Sequence, residues 1–292
     1  MQAHVLTTIK NHIGIITLAR PKALNSLSLE MVRAMTATLR AWHNDPAIRA
    51  VFIHSSSEKA FCAGGDIRFF YEASKQTGIG DKPQLEDFFT EEYALNHLIH
   101  FYPKPYIALM NGVVMGGGMG ISQSGVASRL RIVTERTKMA MPEVNIGLFP
   151  DVGGGYFLNR TAGAIGTYLA LTGEIIGAAD ALYADLADIY IPTSEISALM
   201  ELLAHYSGSD ARVAIRHFAA PFASQLQTAP LESHRNLIDQ HFSHNTMAAI
   251  YSSLEQHESA FAKSSLATMA TRSPLFMAIT LEQLRRCKNS SL

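Results

Sequence analysis

The sequence is poor in cysteine, since only Cys62 and Cys287 occur in 292 residues. Two cysteines exclude a disulfide framework and favour a reducing compartment. There is no excess charge of either sign, because the net charge is −1, so the overall charge does not favour nucleic acid or an anionic membrane as a partner. No apolar run is long enough for a membrane span, and the first residues have the pattern of neither a signal peptide nor a mitochondrial presequence. We therefore expect a cytoplasmic protein that binds neither nucleic acid nor membrane.

Familiar nucleotide and nucleophile motifs are missing as well. The glycines of residues 111–120 do not have the G-x-G-x-x-G spacing of a dinucleotide site, and no P-loop lysine follows them. The run from Gly120 to Ser124 lacks the second glycine of a nucleophile elbow. The usual sequence signatures for these chemistries are therefore not found.

Histidine and cysteine do not form a complete metal or nucleophile motif. His97 with His100, and His241 with His244, have an i, i+3 spacing that suits a metal, yet neither pair has a third ligand at a suitable spacing. Cys62 has no histidine partner that would activate its thiol. We expect ordinary packing or surface histidines, a buried Cys62 and no metal.

The residues that are present predict alternating strands and helices. Residues 5–9 and 14–18 are two β-rich runs separated by Asn11-His12, which predicts a hairpin. Ser28 is the expected N-cap of a helix whose apolar residues recur at helical spacing, namely Leu29, Val32, Met35 and Leu39. Three further runs have the composition of buried strands, at 51–53, 106–110 and 130–133. This alternation predicts an α/β fold with a largely parallel sheet.

The sequence divides into two parts. After about Pro192 the strand patterns stop, and only helical spacing of apolar residues remains. We expect a catalytic core of residues 1–195 and an α-helical C-terminal region of residues 196–292.

Two glycine-containing segments follow predicted strands. In residues 59–68, Gly64-Gly65 lies between a strand and a helix, where backbone N–H groups can point at a ligand oxygen. Taken alone, this pair is better explained by a tight turn that needs a positive φ. In residues 111–120, the run Gly116-Gly117-Gly118 destabilises a helix start by up to ~1 kcal/mol per residue relative to alanine. A close approach of the backbone, or a bare N–H group, must be required there.

A third segment, residues 141–155, contains two acids in apolar surroundings. Glu143 and Asp151 lie among Met, Ile, Leu and Phe residues in a stretch punctuated by proline and glycine. Partial burial raises the pKa of a carboxyl group and suits it to acid–base work. For Asp151 a second interpretation stays open, in which its side chain caps a helix that starts at Gly153.

In this order and combination, the segments resemble the crotonase (enoyl-CoA hydratase/isomerase) superfamily, and within it the 3-hydroxyisobutyryl-CoA hydrolase branch. The resemblance runs from about Ile15 to the C-terminus and is strongest in residues 61–68, 91–93, 115–118 and 141–155. It implies a crotonase-like (ClpP/crotonase) α/β fold of repeated ββα units with an α-helical C-terminal region. Proteins of this branch continue beyond the equivalent of Leu292, so the resemblance also implies a shortened C-terminal region.

The resemblance assigns the catalytic groups. Two peptide N–H groups, at Gly65 and Gly117, would form an oxyanion hole for the thioester oxygen, the second one at the start of a helix. Glu143 and Asp151 would be the catalytic acids. Hydratases of the superfamily carry a further glutamate where this chain has Gly120, so the resemblance disfavours hydration of a double bond.

The resemblance also assigns contacts with the substrate. Glu92 matches a substrate-contacting acid of the hydrolase branch, directed toward the acyl hydroxyl, and the backbone of Ala63 matches a position that meets the adenine. The loop of residues 20–24 would border coenzyme A. The remaining expected substrate-binding residues are Gly64, Asp66 and Gly116.

The expected activity is hydrolysis of an acyl-CoA thioester, with 3-hydroxyisobutyryl-CoA of valine degradation as the first candidate substrate. Glu143 would either activate a water or attack directly to give a transient anhydride, and Asp151 would orient water or shuttle a proton. No cofactor is expected beyond the coenzyme A of the substrate, and the resemblance suggests a homo-oligomer, a trimer or a hexamer of trimers. An enoyl-CoA hydratase or isomerase, and a non-catalytic acyl-CoA-binding protein, are the alternatives.

Overall fold

Nine strands and thirteen α-helices form from the described part of the chain, residues 3–76 and 83–291 of a computed structural model. The strands are β1 (Val5–Lys10), β2 (Ile13–Leu18), β3 (Ala50–Ser55), β4 (Ala60–Cys62), β5 (Tyr106–Met110), β6 (Val113–Met115), β7 (Arg129–Val133), β8 (Lys138–Ala140) and β9 (Ile189–Tyr190). The helices of the first part are α1 (Leu29–His43), α2 (Ile67–Gln76), α3 (Pro83–His100), α4 (Gly117–Gly120), α5 (Gly154–Phe157), α6 (Ile165–Thr172) and α7 (Ala178–Tyr183). Those of the second part are α8 (Ile196–His205), α9 (Ala211–Ala219), α10 (Pro230–Phe242), α11 (Met247–Glu255), α12 (Ala260–Met269) and α13 (Pro274–Cys287).

A six-stranded sheet has the order β1-β2-β3-β5-β7-β9. Only β1 runs antiparallel to its neighbour, and the turn between β1 and β2 has positive φ at Asn11 and His12, so the predicted hairpin is confirmed. All other pairs in this sheet are parallel, which requires a crossover connection between them. The units β1-β2-α1, β3-β4-α2, β5-β6-α4 and β7-β8-α5 follow one another, and the predicted ββα repeat is confirmed.

Helix α1 shows how the sequence pattern becomes buried surface. The side chain of Ser28 accepts a hydrogen bond from the backbone N–H of Met31, which confirms the predicted N-cap. The apolar side of the helix is buried against the sheet through Met31, Val32, Met35, Leu39 and Trp42. This side approaches β2 so closely that a Cβ atom on Gly14 would lie 2.5 Å from Cε3 of Trp42.

A second sheet of three short strands, in the order β4-β6-β8, was not predicted from the sequence. Each strand has only three residues, too few for a periodic pattern, and two of them lie inside segments that drew attention for their glycines. All pairs in this sheet are parallel, so the three strands have their carboxyl ends at the same edge. The glycine turns and Glu143 follow directly from those ends, which brings the three segments together.

The chain after β9 contains helices and no further strand within the described residues. Helix α13 packs against α5 and α6, and so returns to the part of the molecule that carries Asp151. No helix of the described residues combines the length and the apolar character needed to cross a membrane.

Candidate active site

Two backbone N–H groups come together where β4 and β6 end. Gly64 has a φ of 98° and Gly116 a φ of 49°, which residues with a side chain rarely adopt, and the amides that follow these turns lie close to each other. A Cβ atom on Gly117 would lie 3.5 Å from the nitrogen of Gly65, and a Cβ atom on Gly64 would lie 3.6 Å from the nitrogen of Gly117. Across the described ranges, neither of these two amides donates a hydrogen bond to the protein. Both are free to bind a ligand oxygen.

Gly117 begins α4, as the sequence predicted, but this helix has only four residues. A single turn has a much smaller dipole than a long helix. The two peptide N–H groups, rather than the helix dipole, are therefore the main source of positive potential at this point.

Three acids face the two amides across a cavity of about 70 Å³. Glu92 comes from α3, Glu143 begins a 3₁₀ helix at residues 143–145, and Asp151 lies just before α5. Of the nine residues predicted for the site, eight line this cavity: Ala63, Gly64, Gly65, Glu92, Gly116, Gly117, Glu143 and Asp151. The structure therefore brings residues from four separate segments around one small space.

Burial sets the protonation of the two glutamates. Glu143 is 6 % exposed and its Oε2 atom has no hydrogen-bond partner in the described structure, so burial, with a contribution from the Asp151 charge, raises its pKa to about 8. Glu92 is 2 % exposed, and burial, followed by the charges of Asp151 and Glu143, raises its pKa to about 8 as well. Both carboxyl groups are favoured in the neutral form at neutral pH when the site is empty.

Asp151 has a different environment, because the Tyr93 hydroxyl donates a hydrogen bond of 2.8 Å to its Oδ2 atom. Burial raises the pKa of Asp151, while this hydrogen bond opposes the rise by favouring the ionised form. The Asp151 side chain does not cap a helix, since Gly153 precedes α5 and no side chain caps that end. The capping interpretation of Asp151 is wrong.

Gly120, the position at which hydratases of the superfamily carry a glutamate, has no room for a side chain. A Cβ atom on Gly120 would lie 2.6 Å from Cβ of Val152 and 2.8 Å from Nδ2 of Asn96. Val152 has a φ of 43°, which is strained for a β-branched residue, and its side chain is nevertheless buried beside Gly120. Backbone strain at a site lined by acids is a feature that commonly accompanies function.

Asp66 is the predicted substrate-binding residue that does not line the cavity. Its carboxylate pairs with Arg20 at 2.6 Å and accepts a hydrogen bond from the backbone N–H of Phe69 at the start of α2. It therefore ties the loop of residues 20–24 to the first glycine turn. A direct contact of Asp66 with a substrate stays a prediction.

Cys62 is fully buried, and burial raises the pKa of its thiol to about 12, so a reactive thiolate is disfavoured.

Within the described residues no group of three or more His, Cys, Asp or Glu side chains is arranged to hold a metal ion. His241 is buried, and its ring packs against that of His257.

A second, larger cavity of about 400 Å³ lies on the other side of Asp151 and Val152, which line both cavities. Its other lining residues include Tyr93, Asn96, Tyr156, Gln283 and Cys287. Neither Tyr93 nor Asn96 was predicted to have a role in the site. Asn96 follows Glu92 by one helical turn and so shares its side of α3, a usable signal, whereas nothing local connects Tyr93 with an acid 58 residues away.

Comparisons with known proteins place the chain among acyl-CoA enzymes. The family described as Enoyl-CoA hydratase/isomerase matches residues 13–292. The mitochondrial 3-hydroxyisobutyryl-CoA hydrolase of Xenopus laevis is 42 % identical over 283 residues, which cover 96 % of this chain and 72 % of the relative. The corresponding protein of Homo sapiens is 40 % identical over 293 residues, which cover 99 % of this chain and 74 % of the relative.

Solved structures show the same fold. The carnitinyl-CoA dehydratase of Mycobacterium thermoresistibile has a TM-score of 0.90 at 38 % identity, with 99 % of this chain and 81 % of that chain covered. An enoyl-CoA hydratase of Rhodobacter sphaeroides has a TM-score of 0.85 at 36 % identity, with the same coverage of 99 % and 81 %. The predicted crotonase-like fold is confirmed.

Proposed function

The chain belongs to the enoyl-CoA hydratase/isomerase family, and we propose that within it the protein hydrolyses 3-hydroxyisobutyryl-CoA to 3-hydroxyisobutyrate and coenzyme A. Several curated relatives at 40–42 % identity over nearly the whole chain are named as 3-hydroxyisobutyryl-CoA hydrolases. The chain is accordingly a thioester hydrolase, as the resemblance predicted.

One observation carries the proposal at the level of chemistry. Two free backbone amides, of Gly65 and Gly117, face Glu143 and Asp151 across one cavity, while position 120 has no room for the glutamate of a hydratase. A pair of amides suits an oxygen on which negative charge develops, as it does when a thioester carbonyl is attacked. The acids suit proton transfer from the attacking water.

The reaction then proceeds as follows. The thioester oxygen accepts hydrogen bonds from the N–H groups of Gly65 and Gly117, while a water oxygen bonds to the carbonyl carbon. Ionised Glu143 takes the proton of that water, and Asp151, which accepts a hydrogen bond from the Tyr93 hydroxyl, orients the water. The carbon–sulfur bond breaks as the carbonyl re-forms, and coenzyme A leaves as a thiolate. Direct attack of Glu143, with a transient anhydride that water then hydrolyses, uses the same residues.

Hydration is the second candidate, because the two solved structures described above are named as a dehydratase and a hydratase. The crowding at Gly120 argues against it, since Val152 and Asn96 occupy the space that a second glutamate would need. An isomerase that uses Glu143 alone, and a non-catalytic acyl-CoA-binding protein, are the remaining rivals.

One assay separates these functions. The protein is incubated with (S)-3-hydroxyisobutyryl-CoA, 3-hydroxypropionyl-CoA or crotonyl-CoA, and free thiol and enoyl absorbance are followed, with the Glu143→Gln variant as control. Thiol release that the variant loses supports the hydrolase. Loss of the enoyl signal without thiol release would identify a hydratase, and no reaction despite binding would identify an acyl-CoA-binding protein.

Further properties are proposed on the strength of the family. We propose that the enzyme needs no cofactor other than the coenzyme A of its substrate, so that dialysis against a chelator leaves the rate unchanged. We also propose a trimer or a hexamer of trimers, which light scattering would reveal. The cytoplasmic location stays a prediction, since several relatives are named as mitochondrial proteins.

A further inference from the structure

Asn96 is a buried amide without a partner. It is 6 % exposed, and neither its Nδ2 nor its Oδ1 atom has a hydrogen-bond partner in the described structure. A side-chain amide carries two N–H donors and a carbonyl acceptor, and leaving these groups unpaired after burial destabilises the fold. Buried groups of this kind are rare in folded proteins and call for an explanation, such as a ligand that completes them.

The position of Asn96 relates it to the candidate site. Glu92 and Asn96 are one turn apart on α3, and they face Gly117 and Gly120, which are nearly one turn apart on α4. Oε1 of Glu92 would lie 2.5 Å from a Cβ atom on Gly117, and Nδ2 of Asn96 would lie 2.8 Å from a Cβ atom on Gly120. The two helices therefore meet at two levels, the Glu92 level beside the amide pair and the Asn96 level about 4.5 Å further along α4.

The Asn96 level lies on the side of the larger cavity. Ala63 and the loop of residues 20–24, the segments assigned to coenzyme A, are on the side of the smaller cavity. Asp151 and Val152 line the smaller cavity and the larger one, and Asn96 lines the larger one. An acyl group that extends away from coenzyme A beyond the amide pair runs toward Asp151, Val152 and Asn96.

The partner that would satisfy both polar atoms of the Asn96 amide is a small group that donates one hydrogen bond and accepts another. A hydroxyl group two carbons beyond the thioester carbonyl has this property and lies at a comparable distance from the amide pair. A carboxylate would only accept and an alkyl group would do neither, so both would leave part of the amide unpaired.

We propose that Asn96 is a specificity-determining residue whose side-chain amide hydrogen-bonds the hydroxyl group of a 3-hydroxyacyl thioester. This inference rests on the proposed hydrolase function and deepens it, because it assigns the selection of hydroxylated over plain acyl groups to one residue. Glu92, which the resemblance directs toward the same hydroxyl, lies one helical turn nearer the amide pair, so the proposal gives this contact to Asn96 instead.

The test compares two thioesters that differ only in this hydroxyl group, (S)-3-hydroxyisobutyryl-CoA and isobutyryl-CoA. In Asn96→Leu, which keeps the approximate shape, kcat/KM for the hydroxylated substrate should fall roughly 10- to 100-fold, while that for isobutyryl-CoA changes by less than about 3-fold. Asn159→Leu is the control, since the amide of Asn159 already bonds the carbonyl oxygens of Gly155 and Leu284 and should leave the ratio of the two substrates unchanged. If kcat/KM for the two substrates keeps the native ratio in Asn96→Leu, whether or not both values fall, the proposal is overturned.

A binding experiment keeps this test separate from that of the proposed function. Non-hydrolysable thioether analogues of the two substrates are titrated calorimetrically into the native protein, Asn96→Leu and Asn96→Ala, each first checked by thermal unfolding. A preference of the native protein for the hydroxylated analogue that both variants lose supports the role of Asn96, even if no thioester is turned over. Equal binding of the two analogues by the native protein contradicts it, even if hydrolysis is observed.

Discussion

At the scale of single residues, Glu143 combines burial with chemistry. Its pKa is raised to about 8 because the carboxyl group is buried next to the charge of Asp151. Since only the ionised form accepts a proton from water, kcat/KM for thioester hydrolysis should rise with pH through about 8. Glu143→Gln should lower the rate on the order of 10²–10⁴-fold at every pH, as should Asp151→Asn. Full thioesterase activity in both variants would show that the acids are wrongly assigned.

Tyr93 is expected to affect the reaction indirectly, through its hydrogen bond to Asp151. Its hydroxyl favours the ionised form of that acid, so Tyr93→Phe should raise the pKa of Asp151 and change the shape of the acidic limb of the kcat/KM profile, because Asp151 then titrates closer to Glu143. Tyr156→Phe is the matched control, because Tyr156 lines the same larger cavity with its ring over the Arg160 guanidinium. Profiles of Tyr93→Phe and native protein that differ only by a constant factor would argue for a purely structural role.

At the scale of elements, the site depends on how closely α3 and α4 approach. The glycines of α4 allow this approach, since a Cβ atom on Gly117 would collide with Glu92 of α3 and one on Gly120 with Asn96 of α3. The three short strands of the second sheet complete the arrangement, because their shared edge delivers both glycine turns and Glu143 to the same place.

This close approach leads to a prediction for Gly120→Ala. The added methyl group would lie 2.6 Å from Cβ of Val152, whose backbone is already strained, so the free energy of unfolding should fall by about 1–3 kcal/mol. Gly177→Ala is the control, because nothing lies within 4 Å of the added atom. Urea denaturation of both variants measures the difference, and equal stabilities would mean that α4 can move away from α3 at little cost.

At the scale of the whole molecule, the buried acids couple stability to pH. The pKa of Glu143 is about 8 in the folded protein and near 4.5 when exposed, so the unfolded chain releases this proton at lower pH. The contribution of Glu143 to the free energy of unfolding is therefore fully present below about pH 4.5 and is lost as the pH rises through about 8. Glu92 and Asp151 shift in the same direction and share the effect.

The corresponding prediction concerns Glu143→Gln, which removes one titrating group. The stability of this variant relative to the native protein should grow between pH 5 and 8, by up to about 1.4 kcal/mol per pH unit. The reason is that Glu143 of the native protein loses its proton on unfolding in this range, which favours the unfolded chain, whereas a glutamine has no proton to lose. Chemical denaturation across this pH range measures the difference. Glu255→Gln, on the exposed end of α11, should show no such trend, and a flat difference for Glu143→Gln would mean that the acid is not held neutral.

Local sequence patterns predict the hairpin, the Ser28 cap, the buried strands β3, β5 and β7 of the large sheet and the late helical region, whereas the two-residue strand β9 was not predicted. Each of these follows from a local signal, such as a turn pair, a capping side chain or a period in the apolar residues. The glycine turns and the acids were also visible, because glycine runs and acids in apolar surroundings are locally unusual. Their order, through the family resemblance, pointed to thioester hydrolysis.

Tertiary structure alone decided the rest. The three-residue strands that bring the turns together are too short for a pattern, and the bond from Tyr93 to Asp151 joins two segments that share no local signal. The pKa of an acid depends on how far the fold removes it from water and on which donor reaches it. Burial raises the pKa of both Glu143 and Asp151, and at Asp151 the hydrogen bond from Tyr93 opposes the rise. The space beside Gly120 is likewise set by Val152 and Asn96, which come from two other segments of the chain, so no reading of the residues around Gly120 could have shown that it is filled.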